Sequence, residues 1–337
     1  MKQIAFVEPN VAKLIDVDEP SVGVGEVLVK TQYSALSAGT EKANITGDPN
    51  CGGGRGQVRP WPRVLGYSVS GIVEEVGDGI VDLRKGDRVI GLWGKHQQYN
   101  VYSRENVVKI AYNNISLADA AFVFISSFSL AGIRKTNLEI GESCLVYGLG
   151  LLGLFAVQYA RIGGASPVIA VGRHESRRKL ALQVGADYCF DPNQSELQNM
   201  INRVTEGDGA NCVIEVTGNP EALTSALLGT ARFGRVALLG CTRVPTTVNF
   251  YNDVHFPGIT IIGAHTMARP HFESSHGWWT QQDDCRAALR LLSAERLNIA
   301  DLISEVHSPE ECEAVYFQLA TGKEFPIGVE WDWTQLN

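Results

Sequence analysis

The seven cysteines of this 337-residue chain contain no C-x-x-C pair. With an odd number and scattered positions, they argue against a zinc knuckle or a disulfide scaffold and for a reduced, cytoplasmic setting. Basic charge is also scarce. The 29 Lys and Arg face 37 Asp and Glu, a net charge of −8, with no basic stripe of the kind a nucleic-acid surface needs. The longest apolar runs, 120–133 and 149–160, are too short to span a bilayer and carry serine or glycine, so no membrane partner is expected. No basic start leads into an apolar N-terminal core, so no secretion signal is expected. Internal repeats and low-complexity tracts are lacking too. What remains is ordinary for a soluble protein: 45% hydrophobic, 20% charged, and long enough for about two domains.

The most informative stretch present is Cys144-Leu-Val-Tyr-Gly-Leu-Gly-Leu-Leu-Gly153. A buried strand turns through Gly148, Gly150 and Gly153 into an apolar helix, 151–162, and a second strand follows at 167–171. Such a turn lets backbone N–H groups meet a pyrophosphate at a helix N-terminus, so the chain is expected to bind a dinucleotide. One acid is missing here. An NAD site usually ends the second strand with Asp or Glu for the ribose hydroxyls. This chain has Gly172 there, then Arg173, His174, Arg177 and Arg178. Guanidinium groups can grip a 2′-phosphate, which points to NADP over NAD, with Arg173 the best single candidate and His174 and Arg178 behind it. The alternative is a solvated basic turn. Further candidate cofactor contacts are Leu152, Thr217, Gly240 and His265.

The first 115 residues read as short strands punctuated by glycine, and 117–136 as helix opened by Ser116 as N-cap. Strands near 143–146, 168–171, 188–190, 212–215, 235–239 and 259–262 then alternate with helices. That order implies an α/β doubly wound parallel sheet. The domains are therefore expected at 123–264 for the Rossmann part, and 1–122 with 265–337 for a β-rich part. The glycine-rich run inside 46–62 is read as a surface loop or, alternatively, a substrate lid.

Together these landmarks resemble the medium-chain dehydrogenase/reductase superfamily over nearly the whole chain. The resemblance rests on Pro20 with Glu26-Val-Leu-Val29, Gly66-Tyr-Ser-Val-Ser-Gly-Ile-Val-Glu-Glu-Val-Gly77, Lys85-Gly-Asp-Arg-Val89, the glycine fingerprint and Glu215-Val-Thr-Gly218. It implies a GroES-like catalytic domain beside the Rossmann domain, hydride transfer to or from a nicotinamide coenzyme, and a homodimer paired through 259–262. Zinc-bearing members deliver their catalytic metal with Cys-x-Thr-Asp and Gly-His-Glu segments. Here these read Ala38-Gly-Thr40-Glu41 and Gly66-Tyr67-Ser68, and 125–127 offers neither thiol nor imidazole. The four-cysteine structural zinc cluster is missing from 93–115 as well. No metal is therefore expected. Ser34-Ala-Leu-Ser-Ala-Gly-Thr-Glu41 resembles a zinc-lacking branch that includes bacteriochlorophyllide dehydrogenases and relatives acting on sugars or cyclitols.

Without zinc, side chains must handle the hydroxyl proton and the charge on the reacting oxygen. The resemblance puts Thr40, Glu41 and Tyr67 around the lost metal. Thr40 could relay a proton, Tyr67 could donate to a ketone, and Glu41 could orient Tyr67 or act as base. Against this, Tyr67 could merely fill the vacated space. His96, in a loop that lines the substrate in the superfamily, is a candidate general base. Trp93, Arg269, Trp278 and Trp279 are expected to form a polar, aromatic wall over a polyhydroxylated substrate. The expected activity is a zinc-independent, NADP-preferring alcohol dehydrogenase or ketoreductase for a sugar or cyclitol derivative. A zinc-free quinone or enoyl reductase and a non-catalytic NADP-binding protein are the alternatives.

Overall fold

The computed structural model describes residues 1–49, 51, 59–240 and 242–336. The glycine-rich run expected as a loop or lid lies, at 52–58, outside the described residues. The chain divides into two compact units. One takes Met1–Ile125, Cys285–Glu295 and the chain from Ile299 on; the other takes Ser126–Asp284 and Arg296–Asn298.

The first unit begins with a hairpin, β1 (Lys2–Glu8) and β2 (Val11–Asp16), and continues into β3 (Glu26–Ala35), α1 (Ala38–Ile45), β4 (Ser68–Val76), β5 (Arg88–Leu92), β6 (Tyr99–Ser103), β7 (Val107–Lys109) and α2 (Leu117–Ala121). Helix α3 (Val123–Lys135) leads into the second unit. There the chain alternates through β8 (Cys144–Tyr147), α4 (Leu151–Ile162), β9 (Val168–Val171), α5 (Glu175–Gln183), β10 (Tyr188–Phe190), α6 (Leu197–Val204), β11 (Ala210–Glu215), α7 (Pro220–Leu228), β12 (Thr230–Leu238) and β13 (Thr260–Gly263). Helix α8 (Gln281–Ser293) returns to the first unit. That unit is completed by β14 (Ile303–His307), α9 (Cys312–Thr321) and β15 (Gly328–Asp332).

The second unit is a six-stranded, wholly parallel sheet in the order β10-β9-β8-β11-β12-β13. Its central strands β8 and β9 are buried along their whole length, as continuous apolar runs in a sheet covered on both faces should be. The strand order reverses between β8 and β11, where a doubly wound sheet presents its ligand crevice. In the first unit a seven-stranded sheet runs β14-β15-β3-β4-β5-β7, with β6 also on β3. Its register pairs Trp331 with Ser34 and Ser34 with Val69. Alternation then sends Ser68 and Ser70 toward α2, where their hydroxyls donate to the carbonyls of Ala121 and Leu117. On the other face, Ile4, Phe6, Leu36, Ile45, Tyr316, Trp331 and Trp333 form the core that carries the polar site.

Two expectations about the chain path are corrected. Residues 265–284 belong to the nucleotide unit, so its end lies at 284 and not at 264. They are tied there by Arg269, whose guanidinium pairs with Asp284 at 2.7 Å and donates to the Ser127 carbonyl at 2.7 Å. The single helix expected over 117–136 is two, α2 and α3, interrupted at Phe122.

Candidate active site

At the end of β8 the chain turns with Gly148 at φ 103°, a conformation side chains resist. A Cβ on Gly153 would come within 1.8 Å of the Gly148 carbonyl oxygen, so only glycine lets α4 start this close to the strand. Gly150 is the N-cap of α4, and no side chain caps that end. A Cβ at Gly150 would meet nothing within 4 Å. A twelve-residue helix thus opens with its first N–H groups uncapped and space in front of them, the cradle a pyrophosphate fits. Thr217, after β11, packs its methyl against this turn: a Cβ on Gly148 would sit 2.7 Å from it. The Thr217 N–H and hydroxyl both donate to Glu215, and the Gly240 N–H donates to the Glu215 carbonyl at 2.7 Å. Burial pushes the Glu215 carboxyl up while these donors pull it down. Leu152 lies in the first turn of α4, and His265 follows β13 with its Nδ1 accepting from the Met267 N–H at 3.1 Å. The structure therefore gathers Gly148, Gly150, Leu152, Gly153, Thr217 and Gly240 around the C-terminal ends of β8 and β11.

Beyond β9, a Cβ at Gly172 would lie 2.7 Å from the Leu149 side chain, so an acid there would displace a buried residue. The Arg173 side chain is exposed and, among the described residues, makes no hydrogen bond or ion pair. His174 is the N-cap of α5 without a side-chain cap bond. Arg178 is built into the turn instead. One of its nitrogens donates to the Gly172 and Arg173 carbonyls at 2.7 and 2.8 Å and pairs with Asp191 at 3.0 Å.

The first unit holds a polar cluster around the start of α1. Tyr67, half-buried, donates its hydroxyl to Ser37 Oγ, and Thr40 also hydrogen-bonds to it. Burial first, and then the charge of Glu41, pushes the Tyr67 phenol well above its usual pKa. The ring lies 6.0 Å from Trp93 and 6.2 Å from Phe124, and Trp93 in turn packs on Phe124 at 5.2 Å. Trp93 holds φ 66°, a strained position for a bulky residue, and stays 39% exposed. Thr40 is also exposed, so Thr40 and the Trp93 ring offer surface to a small molecule beside the half-buried Tyr67.

The comparisons with known proteins agree with this geometry. The alcohol dehydrogenase GroES-like domain family matches residues 23–113, and the zinc-binding dehydrogenase family matches 152–292. D-guloside 3-dehydrogenase of Escherichia coli (strain K12) is 28% identical over 92% of this chain and 94% of its own. L-threonine 3-dehydrogenase of Pyrococcus furiosus is 28% identical over 93% of each. Galactitol-1-phosphate dehydrogenase from Escherichia coli shares the fold with a TM-score of 0.85 at 21% identity, covering 98% of this chain and 100% of that one. A chain from Sinorhizobium meliloti 1021 described as a zinc-binding dehydrogenase, bound to NADP, superposes with a TM-score of 0.81 at 21% identity over 98% of each. The chain is a medium-chain dehydrogenase/reductase. It is an oxidoreductase with a GroES-like and a Rossmann-like part.

Members of this superfamily that match the zinc-binding family raise the question of a metal. In this medium-chain dehydrogenase/reductase the donor set does not fit one. Ala38 has no ligand atom, the Tyr67 phenol stays protonated and donates to Ser37, and 125–127 is Ile-Ser-Ser. Among the described residues no three His, Cys, Asp or Glu side chains gather where they could hold a metal ion. Zinc needs about three such ligands.

The structure corrects several expected roles. His96 is 1% exposed and both ring nitrogens are engaged, Nδ1 with Ser34 Oγ at 2.8 Å and Nε2 with Glu41 Oε1 at 3.2 Å, so it cannot reach substrate as a base. Glu41 is likewise 1% exposed with both oxygens engaged, by the Ser37 N–H and His96 and by the Tyr316 hydroxyl at 2.5 Å; orienting remains, direct base action does not. Arg269 is no substrate wall either. Asp284 is fully buried between Arg269 and Arg134, and a buried carboxylate needs such partners. Trp279 gives a ring face to Arg134 of that cluster at 3.6 Å, while Trp278, still 47% exposed, lies 4.8 Å from the Lys135 ammonium. Ser34, Ser37, Phe124 and Tyr316 were missed in the sequence. Only Ser37 carried a signal, as a serine just ahead of α1.

Proposed function

We propose that the chain is a zinc-independent, NADP(H)-preferring alcohol dehydrogenase or ketoreductase acting on the secondary alcohol or ketone of a hydroxylated substrate, a sugar or cyclitol derivative. The observation that carries the reading is the Tyr67 hydroxyl, held by Ser37 and Thr40 at the position where zinc-bearing relatives have a histidine ligand. Relatives named for guloside, threonine and galactitol-1-phosphate support a secondary-alcohol reaction.

Bound at the glycine turn, the coenzyme supplies or accepts the hydride at its nicotinamide C4. The uncapped N-terminus of α4 holds its pyrophosphate, and Arg173 takes the 2′-phosphate, for which Gly172 leaves no competing acid. When a ketone binds, the Tyr67 hydroxyl turns its single proton from Ser37 Oγ to the ketone oxygen, stabilising the charge that builds there, and gives it up as the alcohol forms. Because the phenol is pushed up, Tyr67 remains protonated at neutral pH and is better suited to reduction than to oxidation. When the reaction is reversed the Tyr67 phenolate takes the alcohol proton, and the Thr40 hydroxyl, beside it and exposed, relays that proton onward. Trp93 offers the C–H face of a ring an aromatic platform.

The reading carries a cytoplasmic homodimer with it. Strand β13 is the edge of the six-stranded sheet, with Thr260 exposed and Ile261 and Ile262 half-buried, and pairing with a second copy would cover that edge. The test of the chemistry is a ketose and cyclitol-ketone panel with NADPH, run on Tyr67→Phe and Thr40→Val. Reduction should collapse in the first and fall in the second; an enoyl or quinone reductase would keep its rate in both.

A further inference from the structure

Ser37 is the N-cap of α1, yet its hydroxyl makes no cap bond to the helix. Glu41, four residues on, reaches back to take the Ser37 N–H at 2.8 Å. The Ser37 hydroxyl is thereby left to accept from Tyr67. Capping alone does not require what lies behind Glu41. Tyr316, from α9 and 275 residues further along, donates to Glu41 Oε2 at 2.5 Å. Burial and the Glu41 charge push that phenol well up, so Tyr316 is the donor. Both Glu41 oxygens therefore accept, and His96 Nε2, 3.2 Å away, carries the hydrogen that faces them. His96 Nδ1 then accepts from the Ser34 hydroxyl at 2.8 Å, and Ser34 Oγ accepts from the indole N–H of Trp333 at 2.9 Å. Each donor has its acceptor in one direction, and Ser34, Glu41, His96 and Tyr316 are all 1% exposed or less. A network with every member satisfied is rigid, because any change of partner leaves a buried polar group unpaired.

We propose that Tyr316, Glu41 and His96 are positioning residues for the reaction: through the Ser37 backbone they hold the Ser37 hydroxyl turned toward Tyr67, and so fix the phenol that meets substrate. This rests on the reading of Tyr67 as proton donor. The three residues touch neither substrate nor coenzyme. They serve the role that outer partners of a metal ligand serve at a metal site, where their loss costs about 10- to 100-fold in activity.

The test compares Tyr316→Phe, Ser37→Ala and the double variant, with Tyr67→Phe as reference. Folding is checked by NADPH binding, expected near wild type, and by melting, which Tyr316→Phe should lower while keeping a single cooperative transition, because it leaves Glu41 Oε2 unpaired. In ketone reduction, Tyr316→Phe should lower kcat about tenfold with KM unchanged, and should cost nothing further once Ser37→Ala is present. Additive losses in the double variant would overturn the proposal, since a merely structural tyrosine acts independently of Ser37. A second measurement needs no turnover. In protein labelled with 13Cζ-tyrosine, the resonance absent from Tyr67→Phe should move in Tyr316→Phe and in Glu41→Gln; an unmoved resonance overturns the proposal. If Tyr67→Phe itself reduces ketones at the wild-type rate, the donor reading falls. If only Tyr67→Phe is impaired, that reading stands and the positioning role alone is lost.

Discussion

On the proposed reading Tyr67 is the proton donor, and its replacement by Phe should cost about 10²- to 10⁴-fold in kcat for reduction, the usual range for a positioned acid. Oxidation by the intact protein should rise with pH through the alkaline range, because the phenol is held above its ordinary pKa and its proton must be lost first. At Arg173, replacement by Ala should weaken NADPH by about 1–3 kcal/mol, a lost charge-assisted contact, and leave NADH as it was. Equal losses for both coenzymes would remove Arg173 from the site. Glu330 makes a different prediction. Its side chain is buried in β15, Oε2 has no partner, and desolvation with Asp119 and Asp332 nearby pushes its carboxyl up to about 8. A folded-state pKa above the unfolded one gives stability that is complete below the unfolded value and is lost as pH rises through the folded one. Between pH 6 and 8 the unfolding free energy should therefore fall by about 1.4 kcal/mol per pH unit from this group. Glu330→Gln should flatten that slope in urea melts; an unchanged slope would contradict the burial account.

The β8–α4 turn is the element proposed to carry the coenzyme, and its test is steric. Gly153→Val should abolish coenzyme binding and lower the melting temperature, because any Cβ there meets the Gly148 carbonyl at 1.8 Å. This turn was legible in the sequence because its signal is local: a strand, three spaced glycines and a helix, all within Cys144 to Ile162. The alternating strands and helices through β13 were legible for the same reason. The polar cluster around α1 was not. Tyr316 bonds Glu41 across 275 residues, and Trp333 bonds Ser34 across 299, so no spacing rule connects them. Burial was equally hidden. His96 and Arg269 belong to residue types that usually meet solvent, and nothing nearby in sequence announces the Glu41 and Asp284 carboxylates that hold them inside. Helix α9 did carry a local signal, the Ser308-Pro-Glu-Glu311 capping box ahead of an apolar run, whereas strand β14 became visible only through its pairing with β15.

At the scale of the whole molecule, the sequence pattern named the superfamily, while its departures from that pattern carry the proposal of a zinc-independent reaction. A GroES-like and a Rossmann-like part are present, and the ligand set that zinc-bearing members use is not. In solution the exposed edge of β13 should pair two copies. Light scattering should give a dimer, and Ile261→Lys should yield monomers that still bind NADPH. The central claim is that Tyr67 and Thr40 do the work a cation does elsewhere in the superfamily. The most direct measurement is turnover of the purified protein, with its zinc content determined, before and after exhaustive chelation. The account predicts substoichiometric zinc and an undiminished rate; stoichiometric zinc with a rate lost to the chelator and restored by a divalent ion would contradict it.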